Sequence, residues 1–333
     1  MSLVRAESLK AYYITKAYGV ERVVKAVDNV TLEVRENEIL GIAGESGCGK
    51  STLMKTLLGI VQPPLTVVGG RVVYTVDGKD VDVTAASPQE LEGVRWRHVS
   101  YVPQGSMNVL NPVRRIKHTF RDFVAHRVQR MSQAELVKWA AEHLKSLGLP
   151  PEVLNAYPHQ LSGGMKQRVT IALATLLKPK VIFADEPTTA LDVIVQRGVI
   201  QLLSRIQREE KNSLVLVTHD MGVHAHLTHR IVIMYAGKVI EEGSTAKIFS
   251  APQHPYTQYL IGSLPVIGDK EYRVSAPGTP PRLDRPLTGC RFVDRCPKAM
   301  PQCRQAAPAL VETGKDHKVA CFLVSPEEEK ESA

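Results

Sequence analysis

The chain has no apolar run approaching the ~18–20 residues that a membrane-spanning helix needs, so no transmembrane segment is expected. Its start, Met1-Ser2-Leu3-Val4-Arg5-Ala6-Glu7, lacks a basic stretch followed by an apolar core, and no secretory signal is expected there. Both absences point to a soluble protein inside the cell. Internal repeats are missing, which argues against a solenoid and against a duplicated catalytic half. No heptad pattern is sustained, so no long coiled coil is expected. Cysteine is absent between Cys48 and Cys290, and the other four thiols, Cys290, Cys296, Cys303 and Cys321, crowd the end of the chain. In an intracellular protein such a cluster argues for metal or cluster binding rather than disulfides.

Acidic residues are in deficit: 34 Asp and Glu face 42 Lys and Arg, for a net charge of +8. Such a balance invites a nucleic-acid or acidic-membrane reading. Much of it is local, because Arg114, Arg115, Lys117, His118, Arg121, His126, Arg127 and Arg130 share one segment. A solvated helix face is the ordinary explanation of such a run, with a partner subunit or lipid headgroups as the alternative. The tail Pro326-Glu327-Glu328-Glu329-Lys330-Glu331 is acidic and expected to be disordered.

Apolar content of 44% is that of a globular protein, and 333 residues accommodate one large domain with a smaller one. Val30–Val34 alternates as a half-buried strand, Glu38–Ala43 reads as a buried one, and Gly70–Val76 and Val99–Val102 read as further strands. A helix is expected from Lys50 to Gly59. From Asn111 to about Lys178 the pattern is mostly helical, with Ser132-Gln133-Ala134-Glu135 as a capping box. A strand at 181–185, a helix at 193–210 and strands at 214–217 and 231–234 follow. Strands alternating with helices predict an α/β core with a largely parallel sheet, carrying a helical insertion at about 105–178. Composition changes near residue 250, and prolines 265, 277, 280, 281 and 286 mark a connection to a segment too short for a substantial core of its own.

The chemistry is concentrated in three stretches. Gly44-Glu45-Ser46-Gly47-Cys48-Gly49-Lys50-Ser51 joins a strand to a helix, with Thr52 in the helix's first turn. Its glycines let successive N–H groups turn toward phosphates, Lys50 adds charge at the β- and γ-phosphates, and Ser51 offers a hydroxyl to Mg²⁺. Helix and loop together favour an anion. Cys48 fills a position where any small residue suffices. Far downstream, Val181–Ala184 runs into Asp185-Glu186, placing one carboxylate to hold Mg²⁺ and the next to polarise an attacking water. Between them stands Leu161-Ser162-Gly163-Gly164-Met165-Lys166-Gln167-Arg168 at an expected helix start.

A phosphate loop, then LSGG, then a strand ending in Asp-Glu resembles the ATPase subunits of ABC transporters over roughly residues 1–265. The resemblance implies an ABC-type P-loop ATPase core, a mixed sheet with an antiparallel β part and an inserted helical subdomain. It further implies that Gln104 reaches Mg²⁺ and the water, and that His219 contacts the γ-phosphate. By the same resemblance Ser162, Gly163 and Gly164 act on ATP held by a second ATPase subunit, with Asp192, in Ala190-Leu191-Asp192, linking the two sites. Adenine is stacked on an aromatic residue upstream of the loop, either Tyr13 or Tyr18; the register of peptide importers selects Tyr13.

Gly44-Glu45-Ser46-Gly47, Met165 and His254-Pro255-Tyr256-Thr257 look like the oligopeptide/dipeptide importer ATPases, and so does the cysteine-containing tail from 266 to 333. Gaps of five, six and seventeen residues separate its thiols, unlike the tight pairs of zinc ribbons or the bacterial ferredoxin run. Ligand chemistry admits Zn²⁺ or an iron–sulfur centre, and the resemblance favours a structural [4Fe–4S] cluster over Zn²⁺, free thiols or disulfides. His317 is a spare donor or, more simply, a packed or solvated side chain. Implied partners are a homologous ATPase in a homo- or heterodimer, two permease subunits and an extracellular substrate-binding protein, with the chain on the cytoplasmic face of the membrane. Peptides are the expected cargo, with oligosaccharides the alternative and metal uptake known in related subunits. A nucleic-acid-associated ATPase of this class would be expected to carry two such halves or a long coiled coil, so no nucleic-acid partner is expected.

Overall fold

The computed structural model describes residues 1–105, 109–125, 131–264 and 276–324. His126, Arg127, Arg130, Pro265 and the acidic tail at 326–331 lie outside them. In chain order the elements begin with β1 (Ser2–Ala17), β2 (Val20–Arg35), β3 (Ile39–Ala43), α1 (Lys50–Leu57), β4 (Leu65–Val76), β5 (Lys79–Asp82) and α2 (Pro88–Val94). Next come β6 (Val99–Val102), α3 (Ile116–Ala125), α4 (Gln133–Ser146), α5 (Gly163–Thr175), β7 (Val181–Asp185), α6 (Val193–Glu210) and β8 (Ser213–Val217). The chain continues through α7 (Met221–Leu227), β9 (Arg230–Tyr235), β10 (Lys238–Ser244), α8 (Thr245–Ser250), α9 (Pro255–Gly262), α10 (Pro301–Gln305), β11 (Val311–Gly314) and β12 (His317–Val319). Met1–Leu91 with Val217–Ala333 form one compact unit, and Glu92–Leu216 form a second.

In the first unit an antiparallel sheet runs in the order β2-β1-β4-β5. The β1–β2 hairpin turns through Tyr18 and Gly19, both at positive φ (51° and 76°), the conformation that a two-residue type I′ connection requires. Only Val30–Val34 of this hairpin alternates cleanly in sequence. Register shifts at Ala6/Leu9, Leu9/Lys10 and Ala11/Tyr13 interrupt the period elsewhere, which is why β1 escapes a pattern search. The remaining strands lie in the order β11-β12-β10-β9-β3. There β3 and β9 are parallel, whereas β10 joins β9 and β12 antiparallel.

The C-terminal segment has no core of its own, as its length implies, but it is not held by thiols alone. Phe292 is 1% exposed within a cluster that includes Tyr235, Ile240, Ile248 and Tyr256. Its ring meets Tyr235 edge-on at 5.2 Å and Tyr256 at 5.5 Å. Residues Val319 and His317 of β12 pair with Glu241 and Gly243 of β10. The segment borrows the core of the first unit.

In the second unit β6 and β7 are parallel, within the order β8-β7-β6. The helical insertion appears as α3, α4 and α5, and the compact unit around it reaches beyond 105–178 to take in β6, β7, α6 and most of β8. The capping box at α4 forms as its sequence predicts: Ser132 accepts from Glu135 N while the Glu135 carboxylate accepts from Ser132 N. Much of the basic segment is satisfied locally. Arg114 and Arg121 pair with Asp122, Lys117 donates to Asn155 at 3.0 Å, and Arg115 lies 5.4 Å over the Tyr157 ring.

Candidate functional site

The phosphate loop of the first unit is a backbone structure before it is a chemical one. Gly44 stands at φ 146°, and a Cβ there would lie 2.2 Å from Met234 O. Gly49 stands at φ 108°, where a Cβ would lie 2.1 Å from Ala26 O. Glycine is needed at both places. Gly47 also takes positive φ, and Cys48 N donates to Glu45 O at 3.2 Å to close the turn. Lys50 is buried at the start of α1, and its Nζ donates to Gly44 O at 2.7 Å and Glu45 O at 2.9 Å. Cys48 is buried behind it; burial pushes its thiol pKa up, against the opposing effect of Lys50. Thr52, one residue after Ser51, lies 3.3 Å from the Tyr13 hydroxyl. Tyr13 is half-buried on β1, while Tyr18 is fully exposed at the hairpin tip.

Side chains from 235 to 295 brace this loop, a duty that no motif in the sequence announces. Tyr256 Oη accepts from Glu45 N at 2.8 Å. The Glu45 carboxylate is held from both sides by Arg295, at 2.8 and 3.0 Å. His219 follows β8 in an exposed position, beside Asp220, which caps α7 through Gly222 N and Val223 N. Deeper in, burial lowers the pKa of His224 to about 4, and its Nε2–H donates to Thr218 O, 3.2 Å away.

In the second unit β7 delivers Asp185 buried and Glu186 at its mouth. The Tyr101 hydroxyl donates to Asp185 Oδ2 at 3.5 Å. Burial first, and then that carboxylate, raise the phenol's pKa. Glu186 adopts φ 46° and its Oε2 accepts from Gln104 Nε2 and from Thr189 Oγ1, each at 2.9 Å. That leaves Gln104 Oε1 as an acceptor suited to a hard cation. Ser162 caps α5 by accepting from Met165 N at 3.3 Å, and Gly163 and Gly164 form its first turn. A Cβ on Gly164 would lie 2.6 Å from Val195 Cγ1, so the LSGG helix sits directly against the start of α6. Asp192 caps α6 through Val195 N at 2.9 Å, and Gln196 Nε2 donates to Leu191 O and Thr188 O. The two stretches separated in sequence are thus one packed assembly.

All five cysteines are free thiols, so the disulfide alternative is not realised. Cys290, Cys296, Cys303 and Cys321 line one pocket together with His254, Phe292 and Pro308. Burial above all, with the other three thiols of the pocket, pushes the Cys290 thiol up to about 11 against a backbone hydrogen bond from Phe292. Among the described residues no three His, Cys, Asp or Glu are placed to hold a single metal ion. A zinc centre needs its sulfurs about 2.3 Å from one point, and that geometry is not formed. His317 is not at this pocket. It is buried and paired with Glu241 at 2.8 Å, a carboxylate that also accepts from Gln253 N and His254 N.

Comparisons with known proteins identify the family. Residues 27–189 match the ABC transporter family model, and residues 240–303 match the model of the oligopeptide/dipeptide transporter C-terminal region. A dipeptide transport ATP-binding protein of Caldanaerobacter subterraneus subsp. tengcongensis is 41% identical over 323 residues, covering 96% of this chain and 97% of that protein. An oligopeptide transport ATP-binding protein of Bacillus subtilis is 35% identical, covering 99% of each. Among solved structures, the ATP-binding cassette MJ0796, in a dimer bound to ADP and phosphate, superposes with a TM-score of 0.63 at 30% identity. It covers 73% of this chain and 99% of that one.

Proposed function

The chain belongs to the ATP-hydrolysing subunits of ABC transporters, in the oligopeptide/dipeptide branch, and from that membership we propose that it powers peptide import through a membrane permease. The observation that carries the hydrolytic reading is Glu186, held at a strand end by Gln104 and Thr189 immediately after the buried Asp185. A carboxylate oriented by two donors is placed to take a proton from an attacking water. Gly44, Glu45, Ser46, Gly47, Cys48, Gly49, Lys50, Ser51 and Thr52 form the phosphate cradle, and Tyr13 stacks on adenine. Mg²⁺ bound with ATP supplies charge neutralisation at the β- and γ-phosphates; Ser51, Gln104 and Asp185 would be its oxygen ligands. His219 contacts the γ-phosphate. Residues 1–265 make up the ATPase domain and 266–333 its extension.

Ser162, Gly163 and Gly164 act on the nucleotide of a second ATPase subunit, as a helix N-terminus presented to an anion. Support comes from the start of α6 beside Asp192, where Val193 and Ile194 are 79% and 86% exposed. Apolar side chains so placed suit a partner surface. Val109 and Val113 are similarly exposed in the helical region, a surface suited to the permease. No helix among the described residues is long and apolar enough to cross a membrane, so attachment at the cytoplasmic face would be through the permease, with a substrate-binding protein outside.

The cysteine pocket is read as the site of a [4Fe–4S] cluster. Four thiols lining one pocket match the four thiolates that such a cluster takes, one per iron. Anaerobically purified protein is expected to absorb broadly near ~400 nm and to contain iron and sulfide; protein lacking both contradicts this reading. For cargo, the complete transporter in vesicles is expected to hydrolyse ATP faster with di- or oligopeptides. Stimulation by oligosaccharides alone would replace the peptide reading with the sugar one.

A further inference from the structure

We propose that Arg295, from the cysteine-bearing extension, is a positioning residue of the nucleotide site, acting through Glu45 of the phosphate loop. Glu45 stands where a carboxylate is unexpected, because the loop's purpose is to gather N–H groups and a lysine around phosphates. An uncompensated negative charge there would oppose nucleotide phosphates at short range. Arg295 cancels it with a two-pronged pair, Nη1 to Oε2 at 2.8 Å and Nη2 to Oε1 at 3.0 Å.

The guanidinium is 7% exposed and fixed on its other sides. Nε donates to Pro277 O at 2.7 Å, Nη2 to Ala276 O at 3.1 Å, and Nη1 to Tyr235 Oη at 3.1 Å. A planar fork so held sets the direction of the carboxylate as well as its charge. The loop backbone is gripped in parallel, since Glu45 N donates to Tyr256 Oη. Four residues before Arg295, Arg291 donates to Ala236 O and Asp28, and the adjacent Gly237 N donates to Cys48 O at 2.8 Å. The extension therefore grips the loop directly at Glu45 and reaches its Cys48 end only through the Ala236–Gly237 turn.

This inference rests on the nucleotide-binding reading, and titration of MgATP into the full-length protein tests both in order. Failure of the wild-type chain to bind MgATP at all would overturn the underlying reading. With that binding established, Arg295→Gln is expected to weaken MgATP about tenfold, because the half-buried Glu45 carboxylate beside the phosphates is left without its partner. The double variant Glu45→Gln/Arg295→Gln is expected to recover to within about twofold of wild type. Arg304→Gln, an exposed pair with Asp294 in the same extension, is the control expected to match wild type. Wild-type affinity in Arg295→Gln overturns the proposal, and so does a double variant as weak as the single one, which would make Arg295 a structural staple only. If Arg295→Gln folds too poorly to titrate, Arg295→Lys takes its place. Keeping the charge while losing the fork is expected to weaken binding about threefold, and full affinity there would overturn the positioning role.

Discussion

The phosphate loop and the cysteine-bearing extension lie in the same compact unit yet are built on different principles. The loop is specified locally: Gly44 and Gly49 take backbone conformations and close approaches that only glycine tolerates, and the chemistry follows from the resulting N–H directions. The extension is specified by what it touches. Phe292 fills an aromatic cluster belonging to β9 and α9, β12 adds to β10, and Arg291 and Arg295 reach back to β2 and the loop. Local specification is visible in a motif. Tertiary specification is visible only once the partner is known.

That difference can be broken experimentally. Gly49→Ala should be the most damaging, since its Cβ would meet the Ala26 carbonyl in a backbone conformation unfavourable to any side chain. MgATP affinity is expected to fall at least about a hundredfold, measured by calorimetric titration. Phe292→Ala should leave the loop's residues unchanged but remove the extension's anchor. A loss of about 3–5 kcal/mol in chemical denaturation is expected for a buried ring of this size.

A smaller effect should come from acid. Burial lowers His224 and His254 from 6.5 to about 4, so the folded state keeps both neutral. Below pH 6.5 the unfolded chain binds protons that the folded chain refuses. Stability is therefore full above about pH 6.5 and falls as pH drops toward 4, by up to roughly 3 kcal/mol per histidine. Denaturation midpoints across that window check it, and His254→Gln should flatten the slope. Smallest of all, Arg304→Gln should not shift the unfolding midpoint measurably, because its pair with Asp294 is 64% and 77% exposed.

The same division explains how much could be read in advance. The strand–loop–helix from Ile39 to Leu57, the cap at Ser132, the helix Val193–Glu210 and the carboxylates at 185 and 186 all obey periodicity or capping rules within a few residues. Strand β1 was hidden by its bulges. Glu45 was legible as a loop residue but not as a charge needing Arg295, 250 positions away. His254 and Tyr256 were legible as a family marker, whereas their physical duties, lining the cysteine pocket and holding Glu45 N, required the fold. His317 shows the reverse: a metal-type side chain near cysteines in sequence that is spent on Glu241.

Turnover by Glu186→Gln tests the account at its centre, because in the proposed function that carboxylate joins the strand-end geometry to hydrolysis. In the assembled transporter, ATP turnover is expected to fall at least about a hundredfold, with MgATP still bound and the ATPase pair held closed. Near wild-type turnover in that variant would contradict the assignment.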